Sequence, residues 1–220
     1  MRDVITIDGP AGSGKSTISR LLAKKIHYIY LDTGAMYRAV ALAAKRQRID
    51  LKDGTRLGEL CSSLELFFKT EEDPPKLFLK GEDISAAIRS PEMDIASSRV
   101  SAVKEVRKAM SALQRKMSKN VRLVAEGRDM GTVVFPDANY KFFLTASLDI
   151  RADRRYKERL NRGEAVHRAL VESELKKRDH QDQTRSLAPL RPADDAKLID
   201  STSMTPQAVV GEILRHMDFE

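Results

Sequence analysis

Residues 4 to 17 constrain this chain more tightly than any other stretch. Val4-Ile5-Thr6-Ile7 is an apolar run of strand length; a glycine-rich turn follows, and then Ile18, Leu21, Leu22 and Ile26 recur at helical spacing. The turn itself, Gly9-Pro10-Ala11-Gly12-Ser13-Gly14-Lys15-Ser16-Thr17, fits G-x-x-x-x-G-K-[ST] and stands between strand and helix, where the mechanism of that motif needs it. Its glycines let successive backbone N–H groups turn inward as a nest for phosphate oxygens, and the helix that follows adds unpaired N–H groups and a positive dipole end. Gly9 to Thr17 are therefore read as a nucleoside triphosphate cradle, with Lys15 reaching the β- and γ-phosphates and the Ser16 hydroxyl joining a Mg²⁺ shell, partly through water. GTPases, ATPase motors and small-molecule kinases all carry such a loop, so it does not by itself select an activity.

The rest of the chain continues the alternation of strand and helix that a parallel sheet requires. Tyr28 to Leu31 reads as a second strand; Asp32-Thr33-Gly34 leads from it into an alanine-rich helix with Met36, Ala39, Val40 and Ala43 on one face. Between about residues 60 and 90 the texture changes. Leu64 to Phe68 and Lys76 to Leu79 look like strands flanking the turn-forming Glu72-Asp73-Pro74-Pro75, a small antiparallel insertion. Val103, Val106, Met110, Leu113 and Met117 space a further helix, after which Arg122 to Ala125 makes a strand that ends at Glu126-Gly127-Arg128-Asp129. Tyr140 to Leu144 and Lys197 to Asp200 complete the strands, and Thr205-Pro206 has the chemistry of a helix start.

Composition narrows the class of partner. A formal charge of +7, from 39 Lys+Arg against 32 Asp+Glu, points to a polyanion or to small phosphorylated ligands gripped by arginines. With 41% hydrophobic and 32% charged residues the chain should fold as a globular protein, and one domain suits its 220 residues. A single cysteine, Cys61, excludes an internal disulfide and agrees with a reducing compartment, and the four histidines are too scattered to form a metal site. Met1-Arg2-Asp3 runs directly into the first strand without a signal-peptide pattern, and no apolar run approaches the roughly 20 residues of a membrane helix. A cytoplasmic location is the expectation.

Several blocks, in order and at matching spacing, resemble the bacterial cytidylate kinases: Ile5-Thr6-Ile7-Asp8-Gly9-Pro10, Asp32-Thr33-Gly34-Ala35-Met36-Tyr37-Arg38, Glu126 through Pro136, and Arg178-Asp179 with Asp182, Arg185 and Ala188-Pro189-Leu190. The resemblance implies an α/β P-loop fold of three layers, a central parallel β-sheet flanked by helices, with a small antiparallel NMP-binding insertion and a helical lid. It also implies one NMP kinase domain, with its core at about 1–59, 97–146 and 166–220, the insertion at about 60–96 and the lid at about 147–165. The implied substrates are CMP or dCMP and ATP, with Mg²⁺, and no nucleic acid, membrane or second subunit is expected.

By the same resemblance Thr33 and Arg38 bind the CMP phosphate, and Arg128 binds phosphate as well. Asp129, Arg107 and Ser98 read the cytosine edge; Arg178 and Asp182 hold the ribose; and Arg178 and Arg185 clamp phosphates. The chemistry agrees, since a carboxylate accepts from the cytosine amino group and an arginine donates to N3 and O2, whereas uracil would turn an acceptor onto the carboxylate. Pockets built on such a bond discriminate by roughly 10⁴-fold or more. Arg178, Asp182 and Arg185, at i, i+4 and i+7, share a face if their helix continues that far. Arg151, Arg155 and Arg159 stack like charges at i, i+4 and i+8, which a nearby anion would offset. The resemblance makes this stretch the lid, with Arg154 and Arg155 as candidates to meet the transferring phosphoryl group. Thr33 and Glu126 stand where the family often has Ser and Asp.

The competing readings are another P-loop small-molecule kinase, with UMP, dephospho-coenzyme A or shikimate as acceptor, and a P-loop NTPase or nucleic-acid-binding protein. Arg107 with Asp129 argues against the first group. Lack of an N-K-x-D guanine-reading sequence argues against a GTPase, and dispersed basic residues with only 5% aromatics argue against nucleic acid.

Overall fold

Apolar strands with both faces covered build the centre of the protein, described here for residues 3–217 of a computed structural model. Met1 and Arg2, the start of the stretch read as lacking a signal-peptide pattern, lie outside the described residues. In chain order the elements are β1 (Val4–Asp8), α1 (Lys15–Ile26), β2 (Ile29–Asp32), α2 (Thr33–Arg46), α3 (Gly54–Ser62), β3 (Leu66–Lys69), β4 (Lys76–Leu79), β5 (Glu82–Asp83), α4 (Pro91–Val100), α5 (Lys104–Met117), β6 (Leu123–Gly127), β7 (Tyr140–Thr145), α6 (Leu148–Asn161), α7 (Arg168–Thr184), β8 (Lys197–Asp200) and α8 (Pro206–Arg215). A short 3₁₀ turn, Ala87–Arg89, precedes α4, and one wide helical turn, Met130–Val134, follows β6.

The main sheet has the order β2-β6-β1-β7-β8, and every pairing in it is parallel. Alternation along β1 divides the core into two layers, because successive side chains leave opposite faces of a strand. Ile5 and Ile7 pack with Ile18 and Leu22 of α1 and Val209, Val210 and Ile213 of α8. Val4 packs on the other side with Met36, Ala39 and Val40 of α2, Leu57 of α3 and Val106 and Met110 of α5. Full burial of a side chain such as Leu22 contributes about 2 kcal/mol. The second sheet, β3-β4-β5, is antiparallel and packs Leu66, Leu77 and Leu79 onto the α2 layer.

Register brings the carboxyl ends of the inner strands level. Asp8 pairs with Gly127 and Asp32 with Glu126, so the glycine loop, the start of α2 and the turn after β6 open on one rim. That rim is where ligands gather in open parallel sheets.

The elements differ from the sequence expectation in a few places. The second strand begins and ends one residue later than Tyr28 to Leu31, and the strand placed at Leu64–Phe68 runs over Leu66–Lys69. Helices α3 and α4 were not anticipated, and they span the limits set at residues 60 and 96. Helix α7 stops at Thr184, one residue short of Arg185, so helical spacing places Arg178 and Asp182 but not Arg185. The chain turns there, and Leu190 N donates to the Asp182 carbonyl at 2.8 Å. Among the described residues no helix is long and apolar enough to cross a membrane.

Candidate active site

The glycine loop holds a shape that only glycine permits. Gly9 and Gly12 have φ of +150° and +75°; a Cβ on Gly9 would sit 2.0 Å from the Leu144 carbonyl oxygen, and one on Gly12 would sit 2.8 Å from that of Arg151. The loop therefore lies directly on β7 and α6. Lys15, buried at the start of α1, donates to the Pro10 carbonyl at 2.7 Å and reaches the Ser13 hydroxyl at 3.5 Å. Burial, and next the Arg128 guanidinium, push its ammonium down to about 7. A buried lysine among other cations gains most from an arriving polyanion.

Asp8 at the end of β1 accepts from Met130 N at 2.9 Å and Gly131 N at 2.8 Å, which fixes the turn carrying Arg128 and Asp129. Burial lifts its carboxyl to about 6 despite those bonds. Asp32 caps α2 by accepting from Ala35 N at 2.8 Å and pairs with Arg89 at 3.1 Å. Glu126 accepts from the Tyr30 hydroxyl at 2.6 Å through Oε1, while its buried Oε2 finds no partner. Burial, with Asp32 beside it, raises the Glu126 pKa. The Thr33 hydroxyl is used up locally, donating to the Glu126 carbonyl at 2.6 Å.

These groups open on a cleft of about 560 Å³ that reaches from the loop to α4, α5 and α7. Ala11 to Thr17, Thr33, Arg38, Ser98, Arg107, Arg128, Asp129, Arg154, Arg155, Arg178, Asp182 and Arg185 all line it. Gly9 and Pro10 form the stem of the loop and do not line the cleft. Deep in it Arg107 donates to Asp129 and to the Ser101 carbonyl at 3.0 Å, with its guanidinium 5.9 Å over the Tyr37 ring. Among the described residues the buried Ser98 and Tyr37 hydroxyls beside this pair find no partner. Burial pushes the Tyr37 phenol up to about 12, so it remains a donor.

Of the remaining arginines, Arg128 and Arg178 lie nearer the loop, beside Lys15, whereas Arg185 stands next to Arg107 and Asp129. Arg128 Nε donates to Asp182 at 2.9 Å; burial would raise the Asp182 carboxyl, but Arg128 and Arg178 outweigh it and hold it low. Arg178 is pushed down to about 10 by burial and by Arg128, and its Nε has no partner among the described residues. Arg185 Nη2 is likewise unpartnered, 3.7 Å from Asp129, while its Nε donates to the Ala188 carbonyl at 2.7 Å. Buried N–H and O–H groups with nothing to bond are costly unless a ligand completes them.

The arginines of α6 divide. Arg154 spans to the glycine loop, donating to the Ser13 carbonyl at 3.3 Å and to Ser201 at 3.0 and 2.7 Å. Arg155 pairs with Glu158 at 2.7 Å and with Asp94. Arg151 and Arg159 do not line the cleft. Arg151 donates to the carbonyls of Ala146 and Ala11 and to Asp179 at 2.6 Å, and Arg159 pairs with Glu164 and Glu174, each at 2.7 Å. The anion that offsets their stacked charge is thus the protein's own carboxylates. Sequence reasoning also passed over Asp94, Tyr37, Ser101, Tyr30 and Ser201. Ser90-Pro91-Glu92 is a cap signature that would have found α4 and hence Asp94; nothing in the spacing marks the others.

Known proteins resemble this chain throughout its length. The family model described as cytidylate kinase matches residues 5–218. The cytidylate kinase of Citrifermentans bemidjiense is 47% identical over 94% of this chain and 89% of its own. That of Syntrophotalea carbinolica is 48% identical over 96% and 90%, and cytidylate kinase 1 of Haemophilus influenzae is 44% identical over 97% and 93%. Among solved structures, a shikimate kinase from Bacteroides thetaiotaomicron superposes with a TM-score of 0.50 at 8% identity over 98% of both chains. An uncharacterized protein from Eubacterium ventriosum reaches 0.54 at 12% identity over 99% of both. At such identities the structural likeness concerns the fold alone.

Proposed function

This chain belongs to the cytidylate kinase family, and from that membership we propose that its cleft transfers the γ-phosphate of ATP to CMP or dCMP, giving ADP and the corresponding diphosphate for pyrimidine nucleotide metabolism. The observation that carries the choice of base is the buried Arg107–Asp129 pair with the unpartnered Ser98 hydroxyl beside it. Asp129 accepts from the cytosine amino group, and Arg107 and Ser98 serve its ring nitrogen and carbonyl. UMP would present an acceptor to a carboxylate that cannot move, because Arg107 and the turn held by Asp8 fix it.

In this reading the ribose meets Asp182 and Arg178, and the acceptor phosphate meets Arg38 and Arg128 with the amino end of α2 at Thr33. Gly9 to Thr17 cradle ATP, and Lys15, Arg178, Arg185, Arg154 and Arg155 receive the charge of the transferring group. Ser16 with Asp32 and Glu126, whose Oε2 is unpartnered, suits a Mg²⁺ ion held through a hydroxyl and waters rather than by a cage of protein ligands. When bound, that ion would neutralise charge on the donor phosphates.

No side chain has to remove a proton, since a phosphate monoester with a second pKa of about 6 is already mostly ionised at neutral pH. Catalysis rests on aligning acceptor and donor, stabilising charge with fixed cations and excluding water. Helix α6 serves as the lid, the second sheet with α3 and α4 frames the acceptor, and the whole acts as a single-domain monomer in the cytoplasm without nucleic acid. A coupled ATP assay with CMP, dCMP, UMP and AMP tests the assignment: the cytidine nucleotides should be fastest, and a best rate with UMP or AMP would sink the reading of the base pocket.

A further inference from the structure

Asp94, in the first turns of α4, gathers three of the arginines around the cleft. Its Oδ1 accepts from Arg38 Nε at 3.0 Å and lies 3.9 Å from Arg178 Nη1, and its Oδ2 accepts from Arg155 Nη2. Helices α2, α6 and α7 therefore meet on one carboxylate carried by α4. The three guanidiniums line the cleft and Asp94 does not, so it stands behind them. Its side chain is only 16% exposed. Burial alone would raise its pKa, but Arg38, Arg155 and Arg178 outweigh burial and hold it below the usual carboxylate range, so it is ionised wherever the protein works.

Which nitrogens it uses matters. Among the described residues Arg38 makes its hydrogen bond through Nε, which leaves both Nη groups for a ligand. Arg155 has one nitrogen on Asp94 and another on Glu158, so its orientation is set from two sides. A parallel tie fastens the same helices: Arg162 Nη1, just past the end of α6, donates to the Arg89 carbonyl at 3.0 Å, ahead of α4. The lid helix is thus joined at two points to the segment that frames the acceptor.

We propose that Asp94 is a positioning residue for phosphoryl transfer, holding Arg155 of the lid and Arg38 of the acceptor site on a single carboxylate so that lid closure and alignment of the acceptor arginines occur together. The inference rests on the kinase reading above. Without the carboxylate the guanidiniums repel one another and lose their common anchor, and misaligned cations stabilise the transition state poorly even where they still attract the acceptor.

The experiment is a double-mutant cycle of Asp94→Asn and Arg155→Ala, with kcat from the coupled CMP assay and the Kd for CMP from calorimetry. Asp94→Asn should lower kcat about tenfold or more, by a larger factor than any rise in Kd, because the lost charge stood beside a dianion site and its removal does not weaken attraction. In the Arg155→Ala background the same substitution should lower kcat by a clearly smaller factor than in the wild type, since the link from lid to acceptor site is already cut and only the hold on Arg38 and Arg178 is left to lose. A rise in Kd matching or exceeding the fall in kcat would make Asp94 part of the acceptor pocket instead. An unchanged kcat, or additive effects in the cycle, would overturn the proposal equally. If the asparagine variant does not fold, Asp94→Glu in the same cycle carries the test. Wild-type protein that turns over no CMP would overturn the functional reading itself, a separate result from any of these.

Discussion

Lys15 faces the hardest electrostatic situation of any cation in the cleft. It is buried, has two neighbouring guanidiniums in Arg128 and Arg178, and is offset only by Glu126 and Asp8, so its ammonium gives up its proton near pH 7 in the free protein. A folded-state pKa below the ordinary lysine value means that the fold favours the neutral amine, and a bound polyphosphate reverses that preference. Binding of ATP at pH 8 should therefore take up protons. Calorimetry in two buffers of different ionisation enthalpy measures this directly, and the uptake should be absent in Lys15→Met. Proton release at pH 8 would contradict the assigned contact. The neighbouring Ser98 Oγ, Arg178 Nε and Arg185 Nη2 follow the same logic: each is a buried donor that finds no hydrogen-bond partner among the described residues.

Elements are placed by their caps as much as by their apolar faces. Asp32, Asp53, Ser90, Ser147 and Thr205 each accept from the backbone N–H three residues ahead, and Pro91 and Pro206 start α4 and α8. Thr205 Oγ1 accepts from Ala208 N at 3.2 Å, and just before it the Ser201 hydroxyl donates to the Ser13 carbonyl of the glycine loop at 3.2 Å. Thr205→Ala should cost about 1 kcal/mol and lower the melting temperature by roughly 2–4 °C, read by thermal unfolding, with kcat unchanged. Helix α6 shows the opposite economy. Its three stacked arginines would weaken an isolated helix, yet each has a carboxylate from elsewhere, Asp179, Asp94 or Glu174, so the helix owes its stability to packing rather than to its own sequence.

Across the whole molecule, Arg151 ties three parts together. Its guanidinium bonds the Ala11 carbonyl of the glycine loop, the Ala146 carbonyl after β7 and the Asp179 carboxylate of α7. One buried side chain thereby fixes the glycine loop relative to the helix that carries Arg178 and Asp182. Arg151→Ala leaves Asp179 without its charge partner and should cost about 3 kcal/mol, measured as a fall in the midpoint of urea unfolding. A change under about 0.5 kcal/mol would show that the three parts hold their places without it. The same arrangement accounts for the basic composition: much of the excess of arginine lies around one cleft, where each guanidinium either meets a carboxylate or keeps an N–H free.

Local chemistry along the chain was enough to specify the strand, loop and helix at the amino terminus and the alternation of β and α that makes the sheet parallel, whereas Arg38, Arg128, Asp129 and Asp182 were singled out by the resemblance of their motif blocks to a known family. Strand alternation, glycine at positive φ and proline after a cap act over a few residues, so they are written in the order of residues. Packing settled the rest: that Arg151 and Arg159 turn to internal carboxylates while Arg154 and Arg155 line the cleft, that Arg185 arrives by a turn after α7 has ended, and that Asp94 stands behind three arginines. Spacing along a helix tells which residues share a face, but the partner that face meets comes from elements 15 to 61 residues away, and the charge on that partner decides whether an arginine is tied to the fold or left facing the cleft.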